Sequence, residues 1–271
     1  MIEFSITSAG AKLHAISGGK GDSVILLHAG VADKRMWQNN LASIAETHKA
    51  IAYDRRGFGN STSPDEAFSH VADLLAVLDH VGGDQHILIG SSQGGRIAID
   101  FALNYPDRVV ALVLAGTALT GATSPRHYPA GIDAVFEELE RAEEGGDLTK
   151  VNHIEARLWL DGPLACDGRV MGNNRELFLD MNGIALNHAP FSDESFCESA
   201  VQRLNEIKVP TLFITGDLDF PHIQERSSWM AKEIPEARSV MMKGCAHLPS
   251  LELSSQFDLL VRKFLGKASA I

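Results

Sequence analysis

Short runs of consecutive apolar residues recur along the chain and are separated by longer amphipathic segments. The apolar runs cover residues 23–28, 50–53, 86–89, 109–114 and 211–214. Because these runs are continuous and do not alternate with polar residues, they are typical of strands that are covered on both faces. Helix-like periodicity lies between them, at residues 66–81, 94–105, 224–233 and 249–265. The alternation predicts parallel strands joined by crossover helices.

The beginning of the chain carries a different pattern. Residues 2–7 and 12–17 are more polar than the later runs, and Ala9-Gly10 lies between them. Two strand-like segments around such a turn are typical of an antiparallel hairpin, so we expect one at an edge of the sheet.

The alternation of strands and helices stops after Leu114. Glycine and proline residues then introduce roughly eighty residues of helical and loop character without a strand-like run. Helix-like spacing returns at residues 132–142 and 151–160, and Gly145-Gly146 separates the two. The sequence therefore predicts a core, residues 1–119 and 206–271, and an inserted helical cap, residues 120–205.

Composition narrows the classes of partner. The chain has 271 residues, of which 45% are hydrophobic, so one sizeable core is expected. It contains 24 Lys and Arg against 35 Asp and Glu, and its net charge of −11 disfavours a surface for nucleic acid or for an anionic membrane. A small-molecule partner fits this balance better, and a homo-oligomer is left open.

The first residues and the cysteines bear on location and cofactors. No basic segment followed by an apolar run opens the chain, and no stretch approaches the roughly 18 apolar residues of a membrane span. Cys166, Cys197, Cys245 and the eleven histidines do not have the spacing of a disulfide framework or of a zinc site. We therefore expect a cytoplasmic protein that needs no metal or other cofactor.

One motif carries nucleophilic chemistry. Gly90-Ser91-Ser92-Gln93-Gly94 matches Gly-x-Ser-x-Gly and lies where a predicted strand meets a predicted helix. A serine in such a turn adopts a strained backbone that exposes its hydroxyl above the sheet, and the flanking glycines leave room for it. A glycine-rich turn without chemistry is the alternative, but the strand-turn-helix setting favours Ser92 as a nucleophile.

A serine nucleophile needs a histidine base and a carboxylate that orients the base. The run 211–215 is followed by Gly216-Asp217-Leu218-Asp219, and the apolar run 239–242 is followed by a loop that contains His247. Loops after neighbouring parallel strands meet at one edge of the sheet, so these residues are candidates for the acid and the base.

These residues resemble those of the α/β-hydrolase superfamily along nearly the whole chain. The further matching motifs are His28-Ala29-Gly30, which is similar to an oxyanion segment, and Asp54-Arg55-Arg56-Gly57-Phe58-Gly59-Asn60-Ser61, which is similar to the Asp-x-Arg-Gly-x-Gly-x-Ser turn. The resemblance implies the α/β-hydrolase fold, a mostly parallel sheet of about eight strands flanked by helices with an inserted helical cap.

The resemblance also implies roles for individual residues. Gly216-Asp217-Leu218-Asp219 is similar to the Gly-x-x-Asp acid loop, which selects Asp219 and keeps Asp217 as the runner-up. The resemblance also implies that the oxyanion donors are the backbone N–H groups of Gly30 and Gln93, with Val31 as the alternative to Gly30. Ala29 and Gln93 depart from the usual residues at their positions.

Two further groups of residues have a structural and a functional interpretation. The charged turn 54–61 is more typical of a brace after a strand, so we assign it no chemistry. In the cap, apolar side chains that could line an acyl pocket are equally typical of the cap's own core. The candidate pocket residues are Trp159, Met171, Phe178 and Met181.

The resulting hypothesis is a carboxylic ester hydrolase with a Ser92–His247–Asp219 triad, acting on a small-molecule ester or lactone. The resemblance leaves three alternatives that share the triad: an enol-lactone hydrolase, a carbon–carbon bond hydrolase of ring-cleavage products and a cofactor-free perhydrolase. It argues against haloalkane dehalogenases and epoxide hydrolases, which need a carboxylate where this chain has Ser92. A ligand receptor on the same scaffold and a purely structural partner are the non-enzymatic alternatives.

Overall fold

The computed structural model describes residues 1–268, apart from the side chains of residues 130, 267 and 268. Its strands are β1 (Ile2–Ser8), β2 (Ala11–Gly18), β3 (Ser23–Leu27), β4 (Lys49–Tyr53), β5 (His86–Ser91), β6 (Val109–Ala115), β7 (Thr211–Gly216) and β8 (Ala237–Met242). Its helices are α1 (Gln38–Ile44), α2 (His70–Val81), α3 (Gln93–Asn104), α4 (Ala130–Glu144), α5 (Leu148–Glu155), α6 (Asn173–Leu186), α7 (Pro221–Glu233), α8 (Pro249–Glu252) and α9 (Ser254–Ala268).

The eight strands form one sheet in the order β1-β2-β4-β3-β5-β6-β7-β8. β1 pairs with β2, and β2 with β4, in antiparallel fashion, whereas every later pair is parallel. The predicted fold class, including the hairpin at the edge, is confirmed. Because β3 to β8 are parallel, the loops after them open on the same edge of the sheet, which is where ligands bind in open α/β folds.

Two apolar layers cover the sheet. Alternate residues of each central strand enter opposite layers, as Ile25 and Leu26 do in β3. One layer contains apolar residues of α2, α3 and α7, and the other contains those of α1 and α9. This double coverage is the physical reason for the continuous apolar runs in the sequence.

Several helices differ from their predicted bounds. α2 begins at His70, four residues later than predicted, because the Ser69 side chain accepts hydrogen bonds from the backbone N–H groups of Val71 and Ala72 and caps the helix there. The predicted C-terminal helix is divided at Leu253 into α8 and α9. α1 and α6 were not predicted, because their apolar residues do not repeat with a clear helical period.

The segment between β6 and β7 contains α4, α5 and α6, and α5 continues into a π-helical turn at Ala156–Asp161. Its own small core includes Ile132, Val151 and Leu158, which pack with Phe220 and Ile223 at the start of α7. This segment therefore lies over the edge of the sheet where β7 ends. No helix within residues 1–268 is long and apolar enough to cross a membrane.

Candidate active site

Ser92 lies in a sharp turn between β5 and α3. Its φ of 51° and ψ of −114° lie in a region of backbone angles that residues other than glycine rarely adopt. A conformation of this kind costs about 1–3 kcal/mol. Backbone hydrogen bonds hold it there: the Ser92 N–H donates to the Ala115 carbonyl at 2.8 Å, and the Ser92 carbonyl accepts from the Ala118 N–H at 3.2 Å. The end of β6 and the loop after it therefore hold the strained turn.

The glycines of the turn allow α3 to approach the sheet. A Cβ atom on Gly94 would lie 2.2 Å from the Leu27 carbonyl oxygen, and one on Gly90 would lie 2.5 Å from the Gly94 carbonyl oxygen. Both clashes are with backbone atoms, so no side-chain movement could relieve them. The Gly-x-Ser-x-Gly spacing is thus a steric requirement of this turn.

His247 and Asp219 form a buried pair beside the turn. His247 is 2% exposed and Asp219 is 3% exposed. Nδ1 of His247 lies 3.0 Å from each carboxylate oxygen of Asp219, and the backbone N–H of Phe220 donates to Oδ1 of Asp219 at 2.8 Å. A carboxylate can only accept, so Nδ1 carries the hydrogen and Nε2 is left as a base.

Asp217, the alternative acid, has a different partner. Its Oδ1 accepts a hydrogen bond from the backbone N–H of Gly244 at 2.7 Å. This bond braces the loop that leads from β8 to His247. The structure therefore brings Asp219 to the histidine and leaves Asp217 on the outer side of the loop.

Ser92 and His247 face one cavity with a volume of about 460 Å³. The cavity lies between the carboxyl edge of the sheet, the helical segment and α7. Its lining residues are Gly30, Val31, Ser92, Gln93, Gly116, Ala118, Ser124, Tyr128, Phe136, Glu155, Trp159, His222, Ile223, Arg226 and His247. This volume is within the range of small-molecule sites.

The predicted oxyanion donors lie at the same cavity. Gln93 is the first residue of α3, where backbone N–H groups have no partner within the helix. The Gln93 side chain packs on Gly30 so closely that a Cβ atom there would lie 2.6 Å from its Nε2. Val31 also lines the cavity, whereas the Ala29 N–H is directed to the Met36 sulfur at 3.4 Å. Gly30 and Val31 both stay candidates for the second donor.

A buried cation lies behind these donors. Arg55 is 1% exposed, and its guanidinium donates to the Ala29 carbonyl and to Oε1 of Gln93, each at 3.3 Å. It also lies over the Phe58 ring at 4.4 Å, and among residues 1–268 no carboxylate is within ion-pair distance of it. Burial lowers the pKa of Arg55 to about 10, so it stays charged at neutral pH. Sequence reasoning missed this residue, because the motif alone does not show where its side chain points.

His28 is neutral and structural. Its Nδ1–H donates to the Ala29 carbonyl at 2.7 Å, while Nε2 accepts from the Arg55 backbone N–H at 3.0 Å. Burial and the nearby Arg55 charge lower the pKa of His28 well below its usual range. The imidazole therefore shapes the loop that leads to Gly30.

The charged turn after β4 acts as a brace. Asp54 forms a buried ion pair with Nζ of Lys34 at 2.7 Å and accepts the Asn60 N–H at 2.9 Å. Arg56 is held by Asp73 through Nε at 2.8 Å. None of these side chains lines the cavity at Ser92.

The four cap residues predicted to line the pocket separate into two groups. Trp159 lines the cavity, and its ring lies 4.7 Å from the His247 ring. Phe178 and Met181 are fully buried in the apolar layer beneath the segment, and Met171 is 75% exposed. For these three residues the structure does not support the pocket interpretation. The apolar side of α6 faces the core and not the cavity.

The residues that sequence reasoning missed come from α4, α5, α7 and the loop before α4. Tyr128 and Phe136 form an aromatic wall with His222, and Glu155 and Arg226 bring charge to the cavity. Burial and the Arg226 charge lower the pKa of His222 to about 4, and burial raises the pKa of Glu155. The spacing 222, 223, 226 on a helix that directly follows Asp219 was the signal available in the sequence.

The cavity walls do not provide a metal site. Within residues 1–268 no group of three or more histidine, cysteine, aspartate or glutamate side chains could hold an ion. The groups that the arrangement brings to the cavity are the Ser92 hydroxyl, the His247 imidazole and the backbone N–H groups near Gly30 and Gln93.

Comparison with known proteins places this arrangement in a family. The chain is 29% identical to Epoxide hydrolase 1 of Siraitia grosvenorii over 96% of its own length and 97% of that protein. It is 28% identical to the 2-hydroxymuconate semialdehyde hydrolase of Pseudomonas sp. (strain CF600), over 98% and 94% of the two chains. A thermophilic esterase from Thermogutta terrifontis superposes with a TM-score of 0.76 at 24% identity, over 99% of each chain.

A sequence model of one family matches most of the chain. The matched residues are 24–261, which include the turn at Ser92, the Asp219 loop and His247. The eight-stranded sheet and its topology agree with this match. The chain therefore belongs to the alpha/beta hydrolase family.

Proposed function

We propose that this protein hydrolyses a carboxylic ester of a small molecule through an acyl-enzyme on Ser92. The observation that carries the proposal is that His247, paired with the buried Asp219 at 3.0 Å, lines the same cavity as the strained Ser92. The pair leaves Nε2 of His247 as a base, and the turn exposes the hydroxyl that the base would deprotonate.

The reaction proceeds in two halves. The Ser92 oxygen bonds to the acyl carbon while its proton passes to Nε2 of His247, and the carbonyl electrons move to the oxygen. The N–H groups of Gln93 and of Gly30 or Val31 stabilise that oxyanion. When the tetrahedral intermediate collapses, the bond to the alcohol oxygen breaks and His247 returns the proton to the leaving alcohol.

Water completes the cycle. His247 takes one proton from the water while the water oxygen bonds to the acyl carbon. The second tetrahedral intermediate then collapses with cleavage of the bond between the acyl carbon and the Ser92 oxygen. The proton returns to the serine oxygen, and a carboxylic acid leaves. Asp219 keeps the imidazole in one tautomer throughout and stabilises its protonated form.

The similarity to an epoxide hydrolase does not favour epoxide opening. Attack of a serine oxygen on an epoxide carbon forms an ether, which has no carbonyl for water to attack. A carboxylate nucleophile forms an ester that water can cleave. Ser92 therefore suits acyl substrates, and an epoxide would leave the enzyme alkylated.

A second candidate is cleavage of a carbon–carbon bond in a ring-cleavage product, and the Pseudomonas relative that is named a 2-hydroxymuconate semialdehyde hydrolase is the similarity that favours it. The same triad could serve it, but the leaving group is then a carbon that must be protonated. Loss of the absorbance of a conjugated 2-hydroxy-6-oxodienoate, with little ester turnover, would select this function. Lactone hydrolysis follows the ester mechanism, with the alcohol still attached to the acid.

The first experiment is hydrolysis of p-nitrophenyl acetate, butyrate and octanoate by the wild type, Ser92→Ala and His247→Ala. We expect sustained turnover by the wild type and a decrease of at least about 1,000-fold in both variants. Asp217→Asn is the control, because this carboxylate lies in the same loop as Asp219 but contacts the Gly244 N–H and not His247. Release of one equivalent without turnover would instead favour a ligand receptor, and full activity of Ser92→Ala would refute the proposal.

A further inference from the structure

Arg226 lies in the wall of the cavity that contains Ser92. It is half-buried on α7, one helical turn after His222, and both residues line the cavity together with Ile223. Residues four apart share a helix face, so α7 directs this face at the site. The position of Arg226 follows from the start of α7, immediately after the Asp219 loop.

The Arg226 guanidinium has no counter-ion in the described part of the chain. Its NH2 group donates to the Thr123 carbonyl at 3.3 Å, and no carboxylate of residues 1–268 lies within 4.0 Å of it. A guanidinium has five N–H donors in a planar fork that matches a carboxylate. Most of its donors are therefore available to a ligand in the cavity.

The surroundings make an unpaired cation unfavourable. Burial lowers the pKa of Arg226, and the pKa of the neighbouring His222 is lowered to about 4, so the imidazole is neutral. The Tyr128 phenol stays protonated, because burial raises its pKa. Glu155, the carboxyl group in this cavity, accepts from Nδ2 of Asn182 and is not ion-paired with Arg226. Binding of an anion to a partly desolvated cation without a partner is favourable, because it replaces some of the hydration that the cation has lost.

We propose that Arg226, which lines the same cavity as Tyr128, binds a carboxylate of the substrate while Ser92 attacks the ester carbonyl. The inference rests on the proposed ester hydrolysis and narrows its substrate class to esters or lactones that carry a second, ionised carboxyl group. A sphere with the volume of this cavity is about 10 Å across, which suits a short aliphatic chain between the two groups.

The test compares esters that differ only in charge. Monomethyl adipate and methyl hexanoate place a carboxylate or a methyl group at the far end of the acyl chain. The acetate ester of 6-hydroxyhexanoate and hexyl acetate make the same comparison on the alcohol side. Acid release is followed by pH-stat titration, and the ratio of kcat/KM for the charged over the neutral member of each pair is the readout.

For the wild type, we expect the kcat/KM ratio to favour the charged member in at least one pair. In Arg226→Gln this ratio should fall about 10- to 100-fold through an increase in KM for the charged ester, because one charge-assisted bidentate contact is lost. Arg226→Lys should recover part of the ratio, because it keeps the charge without the fork. Arg126→Gln is the matched control: it removes the same charge from an exposed neighbour of Tyr128 that does not line the cavity. Ratios unchanged by Arg226→Gln in both pairs, or lowered equally by Arg126→Gln, would overturn the proposal.

Binding separates this proposal from the ester chemistry. Calorimetry with monomethyl adipate and with dimethyl adipate on Ser92→Ala, with and without Arg226→Gln, needs no turnover. Weaker binding of the charged ligand alone when Arg226 is replaced supports the anion site even if no ester is hydrolysed. Turnover of neutral esters with equal binding of both ligands would keep the hydrolase and refute the anion site.

Discussion

Replacement of Asp219 by asparagine tests the triad with the smallest change of shape. Both carboxylate oxygens lie 3.0 Å from Nδ1 of His247, and Oδ1 also accepts the Phe220 N–H at 2.8 Å. In Asp219→Asn the amide oxygen keeps the Phe220 N–H, so the NH2 group faces Nδ1. It then donates to Nδ1, and the hydrogen of the imidazole moves to Nε2. The base that would deprotonate Ser92 is thereby blocked.

The expected loss follows from this tautomer. An asparagine in the equivalent place of a triad lowers kcat about 10³- to 10⁴-fold, or about 4–5.5 kcal/mol of transition-state stabilisation. KM should change little, because Asp219 is not among the residues that line the cavity. The assay is steady-state hydrolysis of p-nitrophenyl butyrate, with thermal unfolding to establish that the variant is folded.

Asp217→Asn is the matched control for this prediction. Asp217 lies two residues away and accepts the Gly244 N–H at 2.7 Å, without contact to His247. We expect its kcat to stay within about threefold of the wild type, since only a loop hydrogen bond is weakened. Equal losses in the two variants, or a kcat of Asp219→Asn within tenfold of the wild type, would refute the assigned geometry.

Three other substitutions probe the surroundings of the triad. Arg55→Met should lower kcat roughly 10- to 100-fold in steady-state hydrolysis, because the Gln93 side chain loses the hydrogen bond from the guanidinium; an unchanged kcat would count against this. Gly94→Ala should lower the free energy of unfolding by at least about 2 kcal/mol, because its Cβ would lie 2.2 Å from a backbone oxygen, whereas Gly266→Ala in open helical space should be neutral or slightly stabilising. Burial raises the pKa of Glu252 from 4.5 to about 7 although the Arg169 guanidinium, which donates to its Oε2, opposes the shift, so the folded state holds this proton longer than the unfolded state and loses stability as the pH rises through that window, by about 3 kcal/mol at most. Glu252→Gln should remove that part of the pH dependence in urea titrations between pH 5 and 7, and an unaltered slope would contradict it.

The elements near the site could be predicted from the sequence wherever one physical requirement dominates locally. Continuous apolar runs locate the central strands, since those strands are covered on both faces. The bounds of α2 could not be read from periodicity, because the Ser69 cap decides where it begins. Periodicity also does not reveal which layer a helix faces, and this is why the sequence left pocket lining and core packing open for Phe178 and Met181, which lie in the core.

In the candidate active site, too, the sequence determines the features that have a local cause, and the tertiary structure decides the others. The Gly-x-Ser-x-Gly spacing around Ser92 expresses a local steric demand, so the sequence alone determined this turn. The alternation of strands and helices likewise determined that the central strands are parallel. Which aspartate reaches His247 depends on two loops 28 residues apart, whose approach is made by the sheet. The positions of Arg55 and Arg226 are likewise decided by tertiary packing. The direction of each side chain, and whether a carboxylate lies within reach of it, are set only when distant segments of the chain meet.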